Sequence, residues 1–186
     1  MNLQEAILKR RSIRKFTDYY VTDDEIKEIL EAARWAPSWA NTQTWEFVVV
    51  RDRTLMEKIA GTYSETNPAR KCTIAASALI AGCAKKGVAG SKGGADVTKF
   101  STWFMFDLGM AVQNMWLKAY ELGLGTVAVG LMDHDACKKI LSVPDDHEVV
   151  VVLPLGKPEA GEKQPTPRKK IESFVHLNKF GIPFVK

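Results

Sequence analysis

Ala36-Pro37-Ser38-Trp39-Ala40-Asn41-Thr42-Gln43-Thr44-Trp45-Glu46-Phe47-Val48-Val49-Val50 joins the end of one helical pattern to the start of a strand. Pro37 stops the helix, because the residue before a proline is pushed toward extended geometry. Phe47 to Val50 is a continuous β-prone run, so Trp45–Val50 is expected as a buried strand. The proline-led loop between them presents Ser38, Asn41 and Gln43. Asn and Gln each carry a donor and an acceptor, which suits the edge of a heteroaromatic ring with alternating N–H and C=O groups. The same residues suit an ordinary helix-to-strand turn with Asn41 as turn former. On this stretch alone both readings stay open.

The pattern continues on either side. Asn2 and Glu5 have capping-box spacing ahead of a helix over 2–11, and Thr22 and Glu25 repeat it. Ile26, Ile29, Leu30 and Ala33 then follow i, i+3, i+4, i+7 spacing along a second helix. A short helix over Arg53–Ala60 is expected to close on Gly61. Ile74–Cys83 reads as a strand and residues 87–94 as a glycine-rich loop. Thr102–Leu122 reads as a long helix apolar enough to be mostly buried, with Gly123 as its cap. Phe104 and Phe106 are read as core. Thr126–Val129 is a strand, Asp133 caps a helix ending before Pro144, and Glu148–Leu155 is a buried strand. A last helix over Arg168–His176 precedes a tail. Helices and strands mix without strict β-α-β alternation, which gives one α+β domain over residues 1–186, a three-layer αβα arrangement around a mixed central sheet.

The chain has 186 residues, 46% hydrophobic and 26% charged, an ordinary globular composition. No apolar run approaches the roughly 20 residues of a membrane span, and the N-terminus has no signal-peptide pattern, so a cytoplasmic protein is expected. Cys72, Cys83 and Cys137 are odd in number and widely spaced, which argues against a disulfide framework or a C-x-x-C metal site. Residues 157–186 carry seven basic and three acidic side chains, which accounts for the whole net charge of +4. Within the neutral remainder, Lys9, Arg10, Arg11, Arg14 and Lys15 form a second basic cluster. Two compact clusters fit one small anion better than the broad stripe of a nucleic-acid binder.

Familiar catalytic apparatus is missing. His134, His147 and His176 form no H-E-x-x-H. There is no G-x-S-x-G, no P-loop, and no G-x-G-x-x-G between a strand and a helix. An enzyme with this inventory needs a cofactor for the difficult chemistry, and no metal site is expected. Arg10-Arg11-Ser12-Ile13-Arg14 offers three guanidiniums and a hydroxyl at a helix end. That suits phosphate, through bidentate charge-assisted bonds, and it equally suits a helix C-terminus with favourable basic charge.

Taken together, Arg10-Arg11-Ser12-Ile13-Arg14 and Ala36-Pro37-Ser38…Asn41…Gln43…Trp45 resemble the opening of the FMN-dependent nitroreductase family. Leu122-Gly-Leu-Gly-Thr126 with Val129-Gly130-Leu131 is similar to the family's flavin-facing strand. Pro154-Leu-Gly-Lys-Pro158 and Pro167-Arg168-Lys169-Lys170 through His176 resemble its later segments, in family order.

The resemblance implies an intertwined homodimer with FMN at the interface. Arg10, Arg11, Ser12 and Arg14, with Arg168 and Lys169, would surround the phosphate and ribityl chain, and Arg14 would sit by the ring's N1–C2=O edge. Pro37, Ser38, Trp39, Asn41 and Gln43 would come from the other subunit. Val129 would pack on the ring face, with Gly130 and Leu131 backbone groups near N5. The tail 177–186 would pack on the partner subunit. The implied reaction passes hydride from NADH or NADPH through flavin N5 to nitroaromatic, quinone or related small aromatic acceptors, by a ping-pong mechanism. Residues 67–71 are not assigned. Trp39 stands where the family often has a small residue. Alternatives are another same-fold flavin reaction (reductive dehalogenation, flavin degradation, heterocycle oxidation) or a flavin-binding module without turnover. Neither nucleic acid nor membrane is expected as a partner.

Overall fold

The computed structural model describes residues 2–161 and 164–184. Six helices and six strands are described: α1 (Leu3–Lys9), α2 (Asp23–Arg34), β1 (Trp45–Val50), α3 (Arg53–Gly61), α4 (Ala69–Ala75), β2 (Ala78–Lys85), β3 (Ser91–Lys92), β4 (Ala95–Asp96), α5 (Trp103–Glu121), β5 (Gly125–Thr126), α6 (His134–Ile140) and β6 (His147–Gly156). The main sheet has the order β1-β2-β6-β5, and every named pair in it is antiparallel. A parallel bridge between Ser12 and Thr126 makes the sheet mixed. No helix among the described residues is long and apolar enough to cross a membrane.

Helix starts follow their caps. Asn2 Oδ1 accepts from the Glu5 amide, and Thr22 and Glu25 form the expected reciprocal capping box. Asp52 and Asp133 cap α3 and α6 by accepting from Leu55 and Ala136. These bonds satisfy amides that a helix start leaves unpaired.

Helices cover both faces of the sheet. On one face, Ile26, Ile29 and Ala33 of α2 and Leu108, Ala111 and Met115 of α5 pack on Ala78, Ile80, Leu153 and Leu155. On the other, Met56, Ile59, Cys72 and Cys137 pack on Leu79, Ala81, Val149 and Val152. The side-chain alternation along β6 reverses between Val149 and Leu153. A register shift beside Gly82 and Cys83 explains it, because Val150 is an extra residue in the ladder.

Several expectations are corrected. β1 has the expected bounds but is an edge strand, with Glu46 and Val49 exposed, so it is not a buried strand. The segment 74–83 is split: α4 continues to Ala75 and the strand begins at Ala78. Its alanines suit either state. Gly61 is the last residue of α3 rather than a left-handed cap, and Thr62 follows it. Strand pairing after Gly125 lasts two residues, and Val129 then bridges Val152 alone. Residues 87–94 lead into a small β3–β4 hairpin.

The expected helix over Arg168–His176 is one 3-10 turn at Ile171–Ser173. Helix α5 buries one face only. Phe104 is core, but Phe106 is 60% exposed and Met105 51%. In the tail, Phe180 is 93% exposed. Val185 and Lys186 of the expected tail 177–186 lie outside the described residues.

Candidate functional site

The segment after α1 runs beside β5. The Ile13 amide donates to the Thr126 carbonyl at 3.0 Å. This places Arg10 over the ring of Trp116, with 4.9 Å from Cζ to the centroid. Arg10 and Arg11 line a cavity of about 250 Å³ with Trp116, Tyr120, Thr126 and Pro158. Burial lowers the proton affinity of Arg10 below the usual guanidinium range, and the like charges of Arg11 and Arg168 lower it further. The two basic clusters, from opposite ends of the chain, therefore meet. Among the described residues no carboxylate is paired with Arg10. The buried Thr126 Oγ1 and Trp116 Nε1, both on cavity residues, have no hydrogen-bond partner there either.

Arg14 is exposed and close enough to Cys72 on α4 to act on its thiol electrostatically. Beside α4, Asn67 Nδ2 donates to the Leu131 carbonyl at 3.0 Å, and its Oδ1 accepts from the Ala69 amide at 2.9 Å. Leu131 is 66% exposed, and Gly130 is exposed too. The ring of His134 lies against two carbonyl oxygens, Val149 at 2.8 Å and Gly130 at 3.0 Å. These contacts fix the backbone from 130 to 131 from both sides. Val129, expected on the ring face, has a side chain that is 2% exposed and packs in the core with α3, α4 and α6.

The Pro37–Gln43 loop forms a second group. Pro37, Asn41 and Gln43 are exposed, and Ser38 and Trp39 are half-buried. Ser38 Oγ accepts from the Gln43 amide at 3.0 Å, and Gln43 Nε2 donates to Asn41 Oδ1 at 3.1 Å. Ala40, Asn41 and Gln43 all have positive φ, at 43°, 57° and 48°. The loop enters β1 at one sheet edge, whereas Ser12 bridges β5 at the other. Two strands intervene, so the groups stand about 14 Å or more apart by strand spacing alone. One chain brings Arg10, Arg11, Ser12 and Arg168 together and does not bring the loop to them. Lys169 is exposed beside Arg168.

Sequence reasoning left Asn67 unassigned and missed Asp107 and His134 altogether. Asp107 had a visible signal: it is the lone acid in the apolar stretch Trp103–Tyr120. His134 and Asn67 had none, because each reaches a backbone carbonyl distant in sequence, that of Val149 and that of Leu131.

The residues fit FMN. A desolvated guanidinium, that of Arg10, beside two like charges and with no carboxylate paired to it among the described residues suits a phosphate, and the orphaned Thr126 hydroxyl and Trp116 indole beside it suit further polar atoms of a ligand.

A model of the nitroreductase family matches residues 7–157. A relative from Archaeoglobus fulgidus, whose name couples NADH dehydrogenase with NAD(P)H nitroreductase, is 36% identical over 161 residues, covering 83% of this chain and 84% of that one. The NADPH-flavin oxidoreductase of Vibrio harveyi is 28% identical, over 96% of this chain and 75% of its own. The solved structure of the NADPH:FMN oxidoreductase from Vibrio harveyi complexed with NAD+ superposes with a TM-score of 0.82 at 26% identity, over 95% and 77% of the two chains. An FMN-dependent nitroreductase from Clostridium difficile gives 0.79 at 26% identity, over 96% and 100%.

Proposed function

The chain belongs to the nitroreductase family, and from that premise we propose that it is an NAD(P)H-dependent FMN oxidoreductase reducing nitroaromatic, quinone or related flat acceptors. The observation that carries the reading is Arg10, desolvated beside Arg11 and Arg168 with no carboxylate paired to it among the described residues. A phosphate relieves that charge crowding.

Arg10, Arg11 and Arg168, with Lys169 beside them, hold the phosphate end, and Ser12 and Thr126 offer hydroxyls to the ligand chain. FMN, when bound there, would supply the redox chemistry between NADH or NADPH and the acceptor. Arg14 would bring positive charge to the flavin, a charge that favours its reduced, more negative form. Gly130 and Leu131 present backbone groups near the ring, and Asn67 and His134 hold that backbone still. No side chain is assigned an acid–base step. The protein's part is binding, orientation and electrostatics.

The opposite-edge placement of the Pro37–Gln43 loop supports a homodimer in which a second copy supplies Pro37, Ser38, Trp39, Asn41 and Gln43 to each site. The exposed Met105, Phe106, Phe180 and Phe184 give that copy an apolar surface to cover. Residues 1–186 then act as one flavin-binding domain whose tail, 177–186, packs on the partner subunit. Trp39, its ring 5.1 Å from that of Trp103 and tilted 48° to it, forms with it an aromatic wall that suits flat acceptors. Three buried, unpaired thiols suit a cytoplasmic location.

The test is purification followed by anaerobic mixing with NADH or NADPH. A yellow protein whose flavin bleaches, then recovers on adding a nitroaromatic or quinone, is the expected result. Arg10→Ala with Arg14→Ala releases FMN. A colourless protein that ignores added FMN, or full flavin retention by the double variant, overturns the reading.

A further inference from the structure

Helix α5 is apolar through its first half except for Asp107, which is 1% exposed. A buried carboxylate is costly unless it is paired or hydrogen-bonded. Asp107 has no basic partner among the described residues. Both its oxygens accept from one donor, the Trp39 amide, at 3.1 and 3.0 Å. One turn earlier on the same helix face, Trp103 meets the Trp39 ring at 5.1 Å and 48°.

Trp103 is itself fixed. Its Nε1 donates to Thr98 Oγ1 at 2.7 Å, and Phe106 packs edge-on at 5.6 Å. Gly90 leaves it room, since a Cβ there would lie 2.3 Å from Trp103 Cδ1.

We propose that Trp103 and Asp107, four residues apart on α5, clamp Trp39 at ring and amide, and that Asp107 is thereby the positioning residue for the flavin-contacting Pro37–Gln43 loop. The loop needs such a hold. Three of its non-glycine residues occupy the left-handed region, a disfavoured conformation that persists only when surroundings impose it. Ser38, next to the clamped amide, accepts from the Gln43 amide, and Gln43 in turn donates to Asn41. Fixing Trp39 therefore fixes the start of the bonded knot that presents Asn41 and Gln43. An uncharged acceptor at position 107 performs the same task, because the donor is a neutral amide.

The clamp rests on the reading that this loop meets flavin, and the experiment separates the two. FMN affinity and visible circular dichroism are measured on the FMN-loaded protein for Asp107→Ala, Asp107→Leu and Asp107→Asn. Loss of the acceptor in the Ala and Leu variants weakens FMN by about tenfold, the scale of one hydrogen bond. It also alters the flavin dichroism, and Asp107→Asn restores both. Asp107→Leu fills the space, so a folding failure of the Ala variant does not remove the test. In the unmodified protein, hydrogen exchange at the Trp39 amide is slow. Wild-type affinity and dichroism in either acceptor-free variant overturns the clamp, as does an Asn variant as defective as Ala, or fast Trp39 exchange in the wild type. Flavin retention by the Arg10→Ala, Arg14→Ala protein overturns the site reading instead.

Discussion

Ser12 and Thr126 bridge in parallel at the edge of the sheet, and the Ile13 amide next to that bridge donates to Thr126 at 3.0 Å. This contact holds the basic segment against β5 and sets where Arg10 and Arg14 stand. It needs a glycine beside it. A Cβ on Gly125 would lie 2.6 Å from Ile13 Cγ1 and 2.8 Å from Ile13 Cβ.

Gly125→Ala therefore forces Ile13 away from β5. The expected cost is about 1–3 kcal/mol, as for other overpacked sites, and FMN affinity falls with it. Gly61→Ala is the control: it ends α3, has nothing within 4 Å, and gains up to about 1 kcal/mol of helix propensity. Urea unfolding reads both, and equal stability of the two variants contradicts the packing argument.

Asn67 joins α4 to the exposed 130–131 backbone through two bonds of opposite polarity. Asn67→Ala loses both and costs about 1–2 kcal/mol. Asn67→Asp keeps the acceptor for the Ala69 amide but turns an oxygen toward the Leu131 carbonyl. It is expected to recover only part of the thermal stability and none of the FMN affinity. Parallel melting and FMN titration check this, and joint recovery of the two would show that the Leu131 bond is unimportant to the site.

The sequence foretold what is local. Helix starts at Asn2, Thr22 and Asp133 follow caps three residues long, and the bounds of β1 follow its β-prone run. It could not tell that β1 lies at an edge, since Phe47-Val-Val-Val50 reads the same beside one neighbour or two. The alanines of 75–84 hid the end of α4 for want of a periodic signal. The two basic clusters were legible as charge, but their meeting depends on the Ser12–Thr126 bridge. Asp107 was visible as an oddity in an apolar helix, while its partner, the amide of Trp39, lies 68 residues away.

Burial pushes the Cys83 thiol up to about 12 and the Cys137 thiol up to about 11, and raises Cys72 less, with Arg14 opposing. All three are protonated at pH 8, and the thiolate is the nucleophile. A thiol–disulfide reagent at pH 8 should find no reactive cysteine in the native protein and three after unfolding. Fast labelling of Cys72 in the native state would show that α4 opens.

Burial raises the Asp107 carboxyl above the ordinary carboxylate value, and the Trp39 amide opposes this. The folded state then holds a proton that the unfolded chain has already released. Stability therefore declines as pH rises from the ordinary carboxylate value through the raised one, and stays at the lower level above it. Asp107→Asn removes this slope. Its melting temperature at pH 7 should equal or exceed that of the wild type, with the gap closing as pH falls through the window. A gap that widens on acidification would reverse the sign and show that the ionised form is the stabilising one.

The tail turns back on itself, with Leu177 donating to the Ile182 carbonyl at 2.8 Å and the His176 ring 4.3 Å from that of Phe180. This local fold leaves Phe180 93% and Phe184 54% exposed, apolar surface that water penalises. In the proposed dimer, a second copy that covers it would also carry the loop that completes each FMN site. Deleting residues 178–186 should thus yield a monomer by sedimentation and weaken FMN at the same time. Phe180→Asp makes the smaller change and should shift the monomer–dimer balance in the same direction. A truncated protein that stays dimeric with full flavin would show that the α5 face around Met105 and Phe106 holds the dimer without the tail.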